Sequence, residues 1–191
     1  RSQLYKRAGL TWLSLIERSE ARLLLDELLE KSSRFVCRDK TVGGGGHGPE
    51  RRIADTLCTY EDLVTPRWEE IYEEVRLLAS IISNKDCHYP PSKSNSMLAK
   101  LYLKDDDEHG WHSEQNCISG VVCLSDFLPG DALRYRPLDM KHRQKSYFPA
   151  MGEALFLKGG DVRHCVPQVT PRSRQSRGDM PRQRVSVVMN F

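Results

Sequence analysis

Three side chains that could share a metal ion stand out by type and spacing: His112 and Glu114, separated only by Ser113, and His164, 52 positions after the first. Two imidazoles and one carboxylate form the protein's share of a facial triad, which holds non-haem Fe(II) and leaves coordination positions open. In an extended chain, residues two apart project to the same side. His112 and Glu114 can therefore reach one ion from a strand end. The interval to His164 leaves room for several short strands. Arg184 and Ser186 are again two apart on an apparent strand and should both point inward. A fixed guanidinium there suits a bidentate grip on a carboxylate. Zinc is the rival metal, since His₂Glu also makes catalytic zinc sites. The helical H-E-x-x-H pattern is absent, however, and an arginine grip has no purpose in that reading.

The order H-x-E…H…R-x-S, each element flanked by β-rich sequence, resembles the Fe(II)/2-oxoglutarate-dependent dioxygenase superfamily. Leu101-Tyr102 through Gly110-Trp111-His112-Ser113-Glu114 is similar to the Y…G-W-H-S-D stretch of AlkB-type members. Arg184-Val185-Ser186-Val187-Val188 is similar to the R-I-S-L-V ending of ten-eleven-translocation-type members and of small-molecule hydroxylases. The resemblance covers residues 95–191. It implies Fe(II) on His112, Glu114 and His164, and 2-oxoglutarate held through its distal carboxylate by Arg184 and Ser186. Tyr102 stands where AlkB-type members use a tyrosine on the same carboxylate. O₂ is then the other co-substrate, and the products are succinate, CO₂ and a hydroxylated C–H.

Three departures from the pattern are visible. Glu114 replaces the usual aspartate, reaching one methylene further. Lys100 stands where AlkB-type members use asparagine. The chain ends at Met189-Asn190-Phe191 without their second arginine. A carboxylate at position 114 argues against the halogenase branch.

Two substrates compete. One is a small molecule or amino-acid-like group, with Trp111, Asn116, Arg134 and Arg136 at the pocket rim. The other is nucleic acid, with a methylated base flipped from its stack. Arg134 and Arg136, together with Arg172, Arg174, Arg177 and Arg182, would then meet phosphates. The plain alternative for those arginines is a solvated basic loop. A third reading makes the chain a catalytically silent binding module.

The elements that must position these residues read as follows. Leu10 to Leu29 has apolar residues mostly three and four apart and predicts a helix, broken near Ser19. Phe35-Val36-Cys37 reads as a short strand and Gly43 to Gly46 as a flexible loop. Thr65 as N-cap, Pro66 and two glutamates in the first turn open a second helix, whose stripe Trp68, Ile71, Tyr72, Val75, Leu78, Ala79 and Ile82 is core packing.

Strands are expected over Met97–Leu103, Ile118–Leu124, Ala132–Arg136, Ala154–Leu157, Arg163–Val169 and Arg184–Phe191. An acidic loop spans 105–108, and H-x-E opens a strand after it. Pro129-Gly130 make a turn, 139–146 a basic loop, and 170–183 a long loop. This predicts one α+β domain over 1–191: helical support over 1–94 and a double-stranded β-helix (jelly-roll) core over 95–191.

Composition fits a water-soluble chain: 39% hydrophobic and 29% charged residues, with a net charge of +3. That charge is too mild to demand nucleic acid. No apolar run approaches the ~18 residues that span a bilayer, and no signal-peptide pattern is read, so an intracellular location (cytoplasmic or nuclear) is expected. The six cysteines, at 37, 58, 87, 117, 123 and 165, show no C-x-x-C spacing and read as free thiols.

Overall fold

Thr65 caps helix α4 (Pro66–Ser83): its Oγ1 accepts a hydrogen bond from the Trp68 amide at 3.3 Å. Pro66 fills the first helical position, where an N–H has no intrahelical partner to lose. Asn84 ends the helix in the left-handed region, at φ 57°, a conformation that asparagine tolerates. The structure is a computed structural model and describes residues 2–42, 51–104, 106–127, 132–140, 143–168 and 183–191.

The helices are α1 (Ser2–Ala8), α2 (Arg18–Lys31), α3 (Tyr60–Leu63) and α4, and the buried sides of α2 and α4 cover one face of an antiparallel sheet. Its strands are β1 (Leu10–Ser14), β2 (Val36–Val42), β3 (Arg51–Cys58), β4 (Met97–Tyr102), β5 (Glu108–His112), β6 (Ile118–Cys123), β7 (Leu133–Arg136), β8 (Lys145–Tyr147), β9 (Glu153–Lys158), β10 (Arg163–Val166) and β11 (Arg184–Asn190). They run in the order β1-β9-β6-β11-β4-β3-β5-β10-β7-β8, with β2 added on β3. The sheet curls until its two ends meet, Trp12 of β1 packing at a tilt against Tyr147 of β8 with 4.5 Å between ring centroids.

Curling gives the sheet two apolar faces. Met97, Ala99, Leu101, Val122, Phe156 and Val187 pack outward against Leu24, Leu28, Ile71 and Val75 of the helices. Leu10, Cys123, Leu133, Tyr135, Leu155 and Leu157 fill the inside of the curl. The fold is therefore the expected jelly-roll with helices packed on one side.

Several expectations change. Leu10–Ser14 is a strand registered on β9, Leu10 opposite Leu157 and Ser14 opposite Glu153, so only α2 of the expected helix exists. Pairing with an available edge overrides the weak helical spacing. The first 94 residues, expected to be helical support, also contribute β1, β2 and β3. The 105–108 loop ends earlier than expected, since Glu108 already belongs to β5. H-x-E closes that strand instead of opening one: His112 is its last residue, and Glu114 lies just beyond. The basic loop over 139–146 overlaps a 3-10 turn, Leu138–Met140, at its start and β8 at its end. The strand bearing His164 ends at Val166. Gly43–Gly46, Pro129-Gly130 and nearly all of the loop over 170–183 lie outside the described residues.

Candidate metal centre

Two histidines three apart on a strand should face opposite ways. Between β5 and β10, however, His112 pairs with His164 while His109 pairs with Val166. Four residues of β5 thus oppose three of β10, which is a β-bulge. The extra residue brings both rings to the same face, stacked at 3.8 Å and 10°. That face is the inside of the curl, because His164 is also in register with Tyr135 of the inner cluster.

His112, Glu114 and His164 converge, their ligand atoms all lying within 4.8 Å of one another. Glu114 Oε1 is 3.3 Å from His112 Nε2 and 3.4 Å from His164 Nε2. The buried His112 Nε2 nevertheless makes no hydrogen bond. Two imidazole nitrogens facing one carboxylate oxygen, one of them buried without a hydrogen bond, is an arrangement that suits a shared cation. The far nitrogens are committed to backbone, His112 Nδ1 being 2.8 Å from the Gly110 carbonyl and His164 Nδ1 3.3 Å from that of Val162. Such bonds put the proton on Nδ1 and leave Nε2 as a lone-pair donor. Burial and the neighbouring His164 push the His112 pKa down to about 4, so the ring is neutral at physiological pH. Burial works to raise the Glu114 pKa, but both histidines and Lys100 outweigh it and hold the group well below its usual value. A His₂-carboxylate set whose carboxylate is held ionised fits a divalent first-row metal.

The glycine turn after β9 fixes the carboxylate. Gly160, at φ +76°, donates its amide to the Glu114 carbonyl at 2.6 Å. A Cβ on Gly159 would lie 1.5 Å from the Asn116 carbonyl oxygen.

Arg184 and Tyr102 are cross-strand partners on β11 and β4, and Ser186 faces Lys100 one step along. Arg184 is 1% exposed, with its guanidinium over the Tyr102 ring at 5.0 Å. Its Nη2 donates to the Asp107 carbonyl at 2.7 Å and its Nη1 to that of Pro167. Asp107 in turn accepts the Leu103 and Lys104 amides on Oδ2, at 2.7 and 2.9 Å. The guanidinium is thereby fixed inside the curl. Burial pushes the Tyr102 hydroxyl pKa up, and Asp55 adds to it, so the phenol remains a donor. Lys100 lies beside the triad, its Nζ 3.5 Å from His109 Nδ1. Burial and then Lys100 drive the His109 pKa far down. Beyond Tyr102 the fully buried carboxylate of Asp55 is held at 2.7 and 2.6 Å by Arg38 of β2.

The rim residues expected for substrate do not gather at the triad. Arg134 and Arg136 flank the inward Tyr135, and Trp111 precedes the inward His112, so all three leave from the outer face of the wall that bears the triad. Asn116 lines a cleft of about 620 Å³ with Tyr5, Lys85 and Cys87, whose lining includes none of the triad. The inner residues the sequence reading missed are His109, Asp107 and the Arg38–Asp55 pair. Only a bulge makes the first visible, and only tertiary pairing the others.

A curled antiparallel sheet with His₂Glu at one end of its strands and a buried arginine on another strand of the same sheet is what the chain presents. Comparison with solved structures finds that fold. A Pseudomonas putida prolyl-4-hydroxylase matches at TM-score 0.66 and 14% identity, over 100% of this chain and 95% of that one. The epimerase SnoN from nogalamycin biosynthesis, solved with Fe³⁺, alpha ketoglutarate and nogalamycin RO, matches at 0.64 and 12%, over 99% and 82%. OsALKBH1 matches at 0.59 and 11%, over 97% and 99%. At these identities the likeness is one of fold. No model of a known protein family matches the sequence, and no curated protein does.

Proposed function

We propose that the protein is an Fe(II)- and 2-oxoglutarate-dependent dioxygenase that hydroxylates a C–H bond of a small-molecule or amino-acid-like substrate. The observation that carries this reading is the approach of both Nε2 atoms to one Glu114 oxygen. His112, Glu114 and His164 would hold the iron. When bound, it supplies the redox chemistry that couples oxidative decarboxylation of 2-oxoglutarate by O₂ to hydroxylation, with succinate and CO₂ as the other products.

The chain's own part is positioning. Burial keeps His112 neutral, and the backbone carbonyls of Gly110 and Val162 aim the Nε2 atoms of His112 and His164. Arg184 receives the distal carboxylate of the keto acid in a charge-assisted pair, and Tyr102 and Ser186 offer hydroxyl donors beside it. Leu133, Tyr135 and Leu155 keep water from the inside of the curl, which strengthens every electrostatic contact made there. An intracellular location belongs to the same proposal and is supported by cysteines that are all free. No helix among the described residues is long and apolar enough to cross a membrane.

A second reading, a nucleic-acid oxygenase acting on a methylated base, is favoured by the outer-face arginines Arg134 and Arg136. Succinate release in the presence of Fe(II) and 2-oxoglutarate, screened against an amino-acid and peptide panel and against methylated oligonucleotides, separates the two. Stimulation by an amino acid or peptide supports the first, and stimulation by an oligonucleotide the second. No metal-dependent succinate release at all contradicts both.

A further inference from the structure

Among the described residues several arginines are matched by a carboxylate: Arg18 by Asp126, Arg38 by Asp55, Arg52 by Asp39, Arg67 by Glu20, Arg76 by Glu73. A cluster on the outer face of β7 and β10 is not. Arg134 and Arg136 alternate with the inward Tyr135, and Arg163 precedes the inward His164. Arg163 and Arg136 are direct cross-strand partners. Like charges placed opposite one another cost stability unless an anion lies between them.

Among the described residues none of these guanidiniums has a hydrogen bond or ion pair to a carboxylate. Arg136, which is exposed, lies over the partly exposed Trp111 ring at 4.9 Å. Glu108, the acidic residue of β5, is engaged elsewhere, by Arg52 at 3.6 Å and Gln168 at 3.3 Å. The Arg136–Arg163 row is the last of its strands, one residue beyond the row of Tyr135 and His164. It therefore lies at the strand ends where the triad converges.

We propose that this face docks an acidic polypeptide segment, so that a residue of the docked chain is held at the rim beside the metal ligands. The inference rests on the reading of the site as one for an amino-acid-like group, and it names the carrier of that group. Two or three carboxylates, each gripped by a guanidinium fork, match what is present. Nucleic-acid binders with strong salt dependence make about 6–10 phosphate contacts, more than the three arginines of this face make by themselves.

The test is fluorescence anisotropy of a labelled oligoglutamate peptide, with an oligothymidylate of equal charge in parallel, on the full chain without iron. The wild type is expected to bind oligoglutamate, more weakly as salt rises, with a change in tryptophan fluorescence that Trp111→Phe reduces. Replacing Arg134, Arg136 and Arg163 with glutamine should weaken binding about tenfold or more. If that triple variant melts early, Arg136→Gln alone decides, with a loss of about 3-fold. Unchanged affinity in the variants, or tighter binding of oligothymidylate, overturns the proposal. Docking needs no iron, whereas succinate release needs no docked peptide, so failure of one is not mistaken for failure of the other.

Discussion

One oxygen of Glu114 faces two imidazole nitrogens, and that contact generates the first predictions. Adding Fe(II), or Co(II) as a redox-stable substitute, at about 100 times its dissociation constant should stabilise the fold by about 2.7 kcal/mol. For a domain of this size that raises the melting temperature by about 5–10 °C. EDTA should reverse the shift, and His164→Ala should abolish it. Arg184→Gln should raise the dissociation constant for 2-oxoglutarate about 10- to 100-fold, the worth of hydrogen bonds to a charged group. Isothermal titration of the metal-loaded protein reads this directly; unchanged affinity would place the keto acid elsewhere. The triad was legible from residue type and spacing, because few side chains bind metals and the H-x-E step matches the strand period. His109 was not, because three-residue spacing on a regular strand predicts the opposite face, and Gly110, the one cue to a bulge, does not say which side chains it turns.

Among the elements, the turn after β9 is tied most closely to the site. Gly159→Ala should cost metal affinity as well as stability, since the new Cβ meets the Asn116 carbonyl at 1.5 Å and the chain from Glu114 to Asn116 must move. Metal titration should show at least a tenfold loss, comparable to removing a partner that orients a ligand. Thr65→Ala, in contrast, should cost about 1 kcal/mol in a urea melt and leave metal affinity unchanged. Helix α4 was readable because cap, proline and apolar stripe agree. β1 was misread because Leu10, Trp12, Leu13 and Ile16 satisfy helical spacing, while its strand state depends on β9, far away in sequence. β3 was missed because Asp55 occupies an inward position that looks polar until Arg38 is placed across from it.

At the scale of the whole molecule, curling one sheet separates an inner cluster, which seats the triad and Arg184, from an outer core under the helices. It also explains why Trp111, Arg134 and Arg136, read as pocket rim, lie on the other side of the wall: strand alternation, once the register is known, leaves them nowhere else. The buried Arg38–Asp55 pair ties β2 to the inner row of Tyr102 and Arg184. Asp55→Ala should destabilise the fold by about 2 kcal/mol, because the partly buried guanidinium loses both of its hydrogen bonds to the carboxylate.

The central claim is tested most directly by a crystal grown anaerobically with Fe(II) and 2-oxoglutarate, with diffraction recorded at the iron absorption edge. One anomalous peak about 2 Å from His112 Nε2, His164 Nε2 and a Glu114 oxygen, with the keto acid's distal carboxylate on Arg184, is the predicted result. No peak there, or iron bound at another set of side chains, would contradict it.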